Sequence, residues 1–192
     1  MIRKSLLTAL LLLAGPVMAA DISYNYVQLD YGFITLEDVV PGVDIDGDGP
    51  GISGSFEVGE NWFIGVGYRT IGFDFDVDFD QLNVGFGYHT AISANTDFFG
   101  TLSYLSVDAS GAGGSASESG YGINVGVRAM VTDKLELDGV LGYSDLGDGA
   151  DGTTIGAAAI YNFTEAFSLG VNVEVEDDAF GYGVGVRFYW DK

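Results

Sequence analysis

The densest chemistry in the sequence is carboxylate. Asp44-Ile45-Asp46-Gly47-Asp48-Gly49 sets acids at alternate positions beside a glycine suited to a sharp turn, which fits the opening of a calcium-binding loop. Calcium and magnesium take oxygen ligands, so Asp44, Asp46 and Asp48 are the expected ligands if Ca²⁺ or Mg²⁺ binds here. Ser55 stands where an EF-hand would supply its bidentate Glu, so a complete EF-hand is not expected. A solvated loop tip would carry the same residues, because Asp and Gly both favour turns. A second run, Asp74, Asp76, Asp78 and Asp80, alternates with Phe75, Val77 and Phe79. Like charges this close repel one another and call for a counter-cation.

Catalysis finds little support. The only histidine, His89, falls on the polar face of its segment and reads as a structural residue rather than a general base. The acids form no recognisable catalytic pair, and the glycines from Gly111 to Gly114 lack the following helix that a phosphate loop needs. No enzyme activity and no bound organic cofactor are expected.

The elements that must position these carboxylates begin after an export signal. Arg3 and Lys4 precede an apolar stretch from Leu6 to Leu13, and small residues follow to Ala19 and Ala20, the pattern of a signal peptide over residues 1–20. That stretch is too short to span a bilayer as a helix. The remainder, 21–192, suits a single domain. It holds five basic residues against 28 acids, a charge of −23. Phosphate attracts Lys and Arg, so nucleic acid is excluded as a partner. Aromatic content of 14% separates the chain from acidic disordered segments, and 30 glycines disfavour helices. No cysteine is present, so no disulfide stabilises the exported chain.

Apolar and polar residues alternate in ten segments of about ten residues, the length a tilted strand needs to cross hydrocarbon. They run Ile22 to Thr35, Gly51 to Gly59, Trp62 to Thr70, Asp80 to Ala91, Asp97 to Val107, Gly120 to Met130, Leu135 to Ser144, Thr153 to Phe163, Phe167 to Glu176 and Phe180 to Trp190. The fifth and eighth alternate less cleanly, and without them the count is eight. In the fourth, Leu82, Val84, Phe86 and Tyr88 oppose Gln81, Asn83, Gly85, Gly87 and His89. A soluble sandwich also alternates, but its polar face tends to carry mixed charge. Here that face is glycine, serine and asparagine with a few charges, as a narrow barrel interior requires. Within it, Arg69, Arg128 and Arg187 are expected to pair with Glu57, Glu136, Asp138 and Glu174, since buried charges need partners.

Two aromatic girdles follow from the same alternation. Tyr24, Trp62, Tyr88, Phe98, Tyr161, Phe167 and Trp190 fall at one rim, and Phe33, Tyr68, Tyr104, Tyr121, Tyr143 and Tyr182 near the other. Connections at the first rim, which holds both termini, are short. The other rim carries longer expected loops at Leu36 to Pro50, Gly72 to Phe79, Asp108 to Ser119 and Leu146 to Gly152. The fold class is therefore all-β, an antiparallel up-and-down transmembrane barrel with periplasmic termini.

The stretches SYNYVQLDYGF from Ser23, FDQLNVGFGYHTAISANTDFFGTLSYLSV from Phe79, GYGINVGVRAMVTDKLELDGVLGYSD from Gly120 and GYGVGVRFYW from Gly181 resemble a family of small proteobacterial outer-membrane barrels of the OmpA/OmpX-like kind. Members of that family were once proposed to act in quorum signalling and in triggering plant innate immunity. The resemblance implies a location in the outer membrane of a Gram-negative bacterium. The last segment also looks like the C-terminal signal read by the barrel-assembly machinery, although Asp191 and Lys192 follow its Trp190.

Three functions fit. The leading one is a structural or interaction protein with a filled barrel, whose acidic outer loops bridge to lipopolysaccharide through Ca²⁺ or Mg²⁺. The others are a narrow cation-selective pore and a secreted signalling or adhesion protein.

Overall fold

The computed structural model describes residues 22–40, 42–74, 77–147 and 151–190. The expected signal peptide lies outside the described residues, as do Asp76 and the final Asp191 and Lys192.

Ten strands form one closed antiparallel barrel: β1 (Tyr26–Val40), β2 (Val43–Glu57), β3 (Trp62–Phe73), β4 (Val77–Ser93), β5 (Thr96–Gly111), β6 (Gly114–Met130), β7 (Leu135–Asp145), β8 (Asp151–Asn162), β9 (Phe167–Glu176) and β10 (Ala179–Tyr189). Each strand pairs with its neighbours in sequence, and β1 closes the cylinder on β10 from Tyr26↔Tyr189 to Leu36↔Ala179. The fifth and eighth segments are both strands, which removes the eight-strand alternative.

The period of two decides which side chains point where, since successive strand residues face opposite sides. Val84, Phe86 and Tyr88 of β4 are turned outward and exposed, while Gly87 and His89 between and beside them are buried. The same parity holds around the cylinder, so large apolar side chains cover its outside. Leu29, Phe56, Leu102, Leu141, Ile155 and Val171 are each more than half exposed. A water-soluble protein rarely exposes so continuous an apolar surface. Apart from Tyr24, every residue expected in the two girdles is exposed on the outer surface.

Four short connections lie on the near rim, where β1 begins and β10 ends, and the far rim differs from expectation. Leu36 to Pro50 and Asp108 to Ser119, read as loops, continue largely as paired strands, Gly72 to Phe79 does so in part, and Leu146 and Gly147 belong to no strand. β1 runs to Val40 and β2 starts at Val43, with one irregularity in register between Leu36 and Val40. Likewise β5 and β6 pair as far as Gly111↔Gly114, where Gly114 adopts φ +127° in the tight turn. The reason is that alternating Asp and Gly suits an extended strand once a partner offers hydrogen bonds, and cross-strand pairing outweighs their turn preference.

Candidate functional site

Ion pairing inside the barrel is concentrated at two levels. At the lower level, Arg128 on β6 reaches Glu136 on β7, with Nη2 2.5 Å and Nε 2.8 Å from Oε1. Asp138 lies 3.8 Å from the same Nε. Glu136 has no exposed surface and Arg128 almost none, so both charges depend on each other. Register explains the meeting, because Arg128 faces Asp138 directly and Met130 faces Glu136.

At the upper level, Arg69 pairs with Glu174 at 3.6 Å, as expected, and more closely with Asp30 at 3.0 Å. Asp30 belongs to none of the pairings expected from the sequence.

Two expected pairings are corrected. Among the described residues, no carboxylate lies within ion-pair distance of Arg187. Its Nε donates to Gln28 Oε1 at 2.9 Å, its Nη1 donates to the Tyr189 hydroxyl at 3.2 Å, and its guanidinium lies 4.1 Å from the Tyr26 ring centroid. Gln28 is its direct partner across β1 and β10, so the amide opposite claims the guanidinium first. Among the described residues Glu57 meets no arginine either. It accepts from Asn25 Nδ2 at 2.8 Å, and its backbone N–H donates to Asn25 Oδ1 at 2.8 Å.

Tyr24 is the second kind of correction. It lies inside the barrel at 3% exposure rather than in the near girdle. Its even number shares the inward parity of Tyr26, Gln28 and Asp30. Residues 22–25 belong to no strand, and the backbone N–H of Asn25 donates to Ser23 Oγ at 3.0 Å. The Tyr24 ring stacks on Phe63 at 4.7 Å and on His89 at 4.1 Å. Arg128 sits 4.5 Å from its centroid and donates from Nη1 to the Ser23 carbonyl at 3.0 Å. Burial pushes the Tyr24 phenol above its ordinary range, and the guanidinium lies over the face of its ring.

His89 stands between Asp97, 3.3 Å from Nδ1, and Glu57, 3.7 Å from Nε2. Asp97 is a lumen residue that sequence reasoning passed over. Its inward parity opposite Arg128 was the available signal. Met130, Ile160 and Tyr189 fill the other side of the same layer, each at most 2% exposed. Together these residues obstruct the near end of the barrel.

Beyond that layer the lumen widens into a cavity of about 560 Å³. Gln81, Asn83 and Asn124 line one part of it, and Asp30, Arg69, Glu174 and Glu176 another. Leu105, Val107 and Val140 add apolar wall, and its charged residues are one cation and three carboxylates.

The far rim carries acids on the outward face. Asp44, Asp46 and Asp48 are exposed and sit at alternate positions of β2 rather than around a loop. Alternate residues of a strand are about 6.8 Å apart, so the three do not converge on one ion as loop ligands would. Among the described residues no group of three acids or histidines is arranged to hold a metal ion. The acids instead meet hydroxyls of neighbouring strands. Thr35 donates to Asp46 at 2.7 Å, the Tyr31 hydroxyl bonds Asp48, and Tyr68 and Thr70 both donate to Asp80 at 2.9 and 2.6 Å. Asp80 faces Asp108 across β4 and β5, and Asp145 faces Asp151 across β7 and β8. The result is a belt of carboxylates just beyond the girdle tyrosines.

A family model described as an outer membrane protein beta-barrel domain matches residues 5–163. Comparison with curated proteins gave no match. Among solved structures, an outer membrane channel from Pseudomonas putida F1 is similar at 9% identity and a TM-score of 0.57, over 92% of this chain and 100% of that one. The translocator domain of the autotransporter NalP from Neisseria meningitidis is similar at 14% identity and a TM-score of 0.50, over 88% and 90%. At such identities the likeness is one of fold.

Proposed function

The chain belongs to the family of outer-membrane protein β-barrel domains, and from that membership we propose that it is an interaction protein of the outer surface, closed at its periplasmic end. The barrel lies in the outer membrane of a Gram-negative bacterium. On this reading the near rim is periplasmic, and the vestibule and the acidic belt face outward.

The observation that carries the reading is the layer of buried side chains Tyr24, Phe63, His89, Arg128, Glu136 and Tyr189, which crowds the near end of the barrel below the vestibule. The only histidine is committed to that layer, which favours a structural or binding role over acid–base catalysis. Recording from refolded protein in planar bilayers tests it. The expected result is a silent membrane; sustained, reproducible current steps from the wild-type chain would refute closure.

The acidic belt supports a partner class. Carboxylates facing outward at the level of the tyrosine girdle lie where lipid headgroups lie, and anionic headgroups such as those of lipopolysaccharide approach them only with divalent cations between. The cations on this reading are Ca²⁺ or Mg²⁺ shared between protein and lipid phosphate, not held by Asp44, Asp46 and Asp48 alone. The same reading includes export by the segment 1–20 and insertion by the barrel-assembly machinery.

A further inference from the structure

We infer that the barrel contains a latent path for small cations, and that the ring of Tyr24 is its stopper. The inference rests on the closed-barrel reading and adds which residue closes it and what would pass.

The obstructing layer is built in two different ways. On the side of β6 to β10 it consists of side chains rooted in the strands, with Met130, Glu136, Ile160, Arg187 and Tyr189 all buried. On the side of β2 to β5 the wall is thin. Ser55, Gly65, Gly85 and Gly87 point inward there, and a Cβ added at Gly65 would meet only one backbone carbonyl, at 3.9 Å. Phe63, His89 and the Phe99 ring, all rooted in strands, cover part of that space. Tyr24 packs onto Phe63 and His89 there, and it arrives from a segment that belongs to no strand.

What holds that segment includes the Arg128 bond to the Ser23 carbonyl and the two bonds between Asn25 and Glu57. Displacing it leaves the barrel ladder intact, because β1 starts only at Tyr26. The vestibule above would then connect with the near rim along the face of β2 to β5.

Charge selects the solute. The vestibule sets Asp30, Glu174 and Glu176 against Arg69, and the exit passes Glu57 and Asp97 on either side of His89. A path with excess carboxylate favours cations.

The test compares refolded wild type, Tyr24→Ala, Tyr24→Phe and Asn25→Ala in planar bilayers, with folding of each checked by heat-modifiable gel migration. Tyr24→Ala is expected to give cation-selective steps, and Asn25→Ala brief openings, because it loosens the segment without removing the ring. Wild type and Tyr24→Phe stay silent, since the ring rather than the hydroxyl closes the path. A folded Tyr24→Ala barrel as silent as wild type, or one that selects anions, overturns the stopper while leaving the closed barrel standing. Wild-type current equal to that of Tyr24→Ala overturns both.

Discussion

Glu136 and Arg128 meet across adjacent strands at 2.5 Å, and Glu136 has no solvent-exposed surface. Two charges so enclosed stabilise one another; without Arg128, Glu136 is a buried charge that has lost its closest partner, and without Glu136, Arg128 keeps only the more distant Asp138. Arg128→Met or Glu136→Leu is therefore expected to destabilise the barrel by about 3–5 kcal/mol. The double substitution should be much less costly than the sum of the two. Urea unfolding midpoints in lipid vesicles measure all three.

Phe63 lies flat over Gly87, where any Cβ would overlap its ring. Gly87→Val should destabilise by about 1–3 kcal/mol through overpacking. Adding Phe63→Ala to that variant removes the overlap, and the midpoint should recover part of the loss. If it falls further instead, the ring is not what occupies that space.

Val84 faces outward at 44% exposure, and its neighbour Asn83 lines the vestibule. An arginine on the lipid face near the midplane costs about 2–4 kcal/mol. Val84→Arg should lose about that much, while Asn83→Arg, among the vestibule acids, should lose far less. Equal losses would contradict the assignment of faces.

Asp46, Asp48 and Asp80 bond to hydroxyls on the outward face of the far rim. In membranes containing lipopolysaccharide, a chelator should lower the thermal transition of the wild type, and restored Mg²⁺ should recover it. Replacing all three by Asn should shrink that response. In neutral phospholipid the chelator should have no effect. An unchanged transition in lipopolysaccharide would remove the bridging cations from the proposal.

The barrel itself was legible because one physical rule, alternation with a period of two, runs through the strands, less cleanly in the fifth and eighth than in the rest. It identified the lumen positions of Arg69, Arg128 and His89 and the lipid face opposite them. Partners were less legible. Which carboxylate meets which guanidinium depends on strand register and on what stands directly opposite. Arg187 therefore met Gln28 rather than an acid, and Arg69 took Asp30 in addition to Glu174. The far-rim hairpins were missed because Asp and Gly favour turns in isolation, whereas the hydroxyls of Tyr31 and Thr35 reward them for staying extended. Tyr24 was misplaced because its aromatic character outweighed its parity, which it keeps although it precedes β1.

The most direct test of the central claim, a membrane barrel with one face to lipid and the other to a closed lumen, uses β4 and the absence of cysteine from the chain. Single thiols at Gln81, Leu82, Asn83, Val84 and Phe86, each carrying a fluorophore, are compared for quenching by a lipid-soluble and a water-soluble agent added from outside. The expected pattern alternates: Leu82, Val84 and Phe86 respond to the lipid-soluble quencher, and Gln81 and Asn83 to the aqueous one through the vestibule. Aqueous quenching at Val84 and Phe86 equal to that at Asn83 would contradict it.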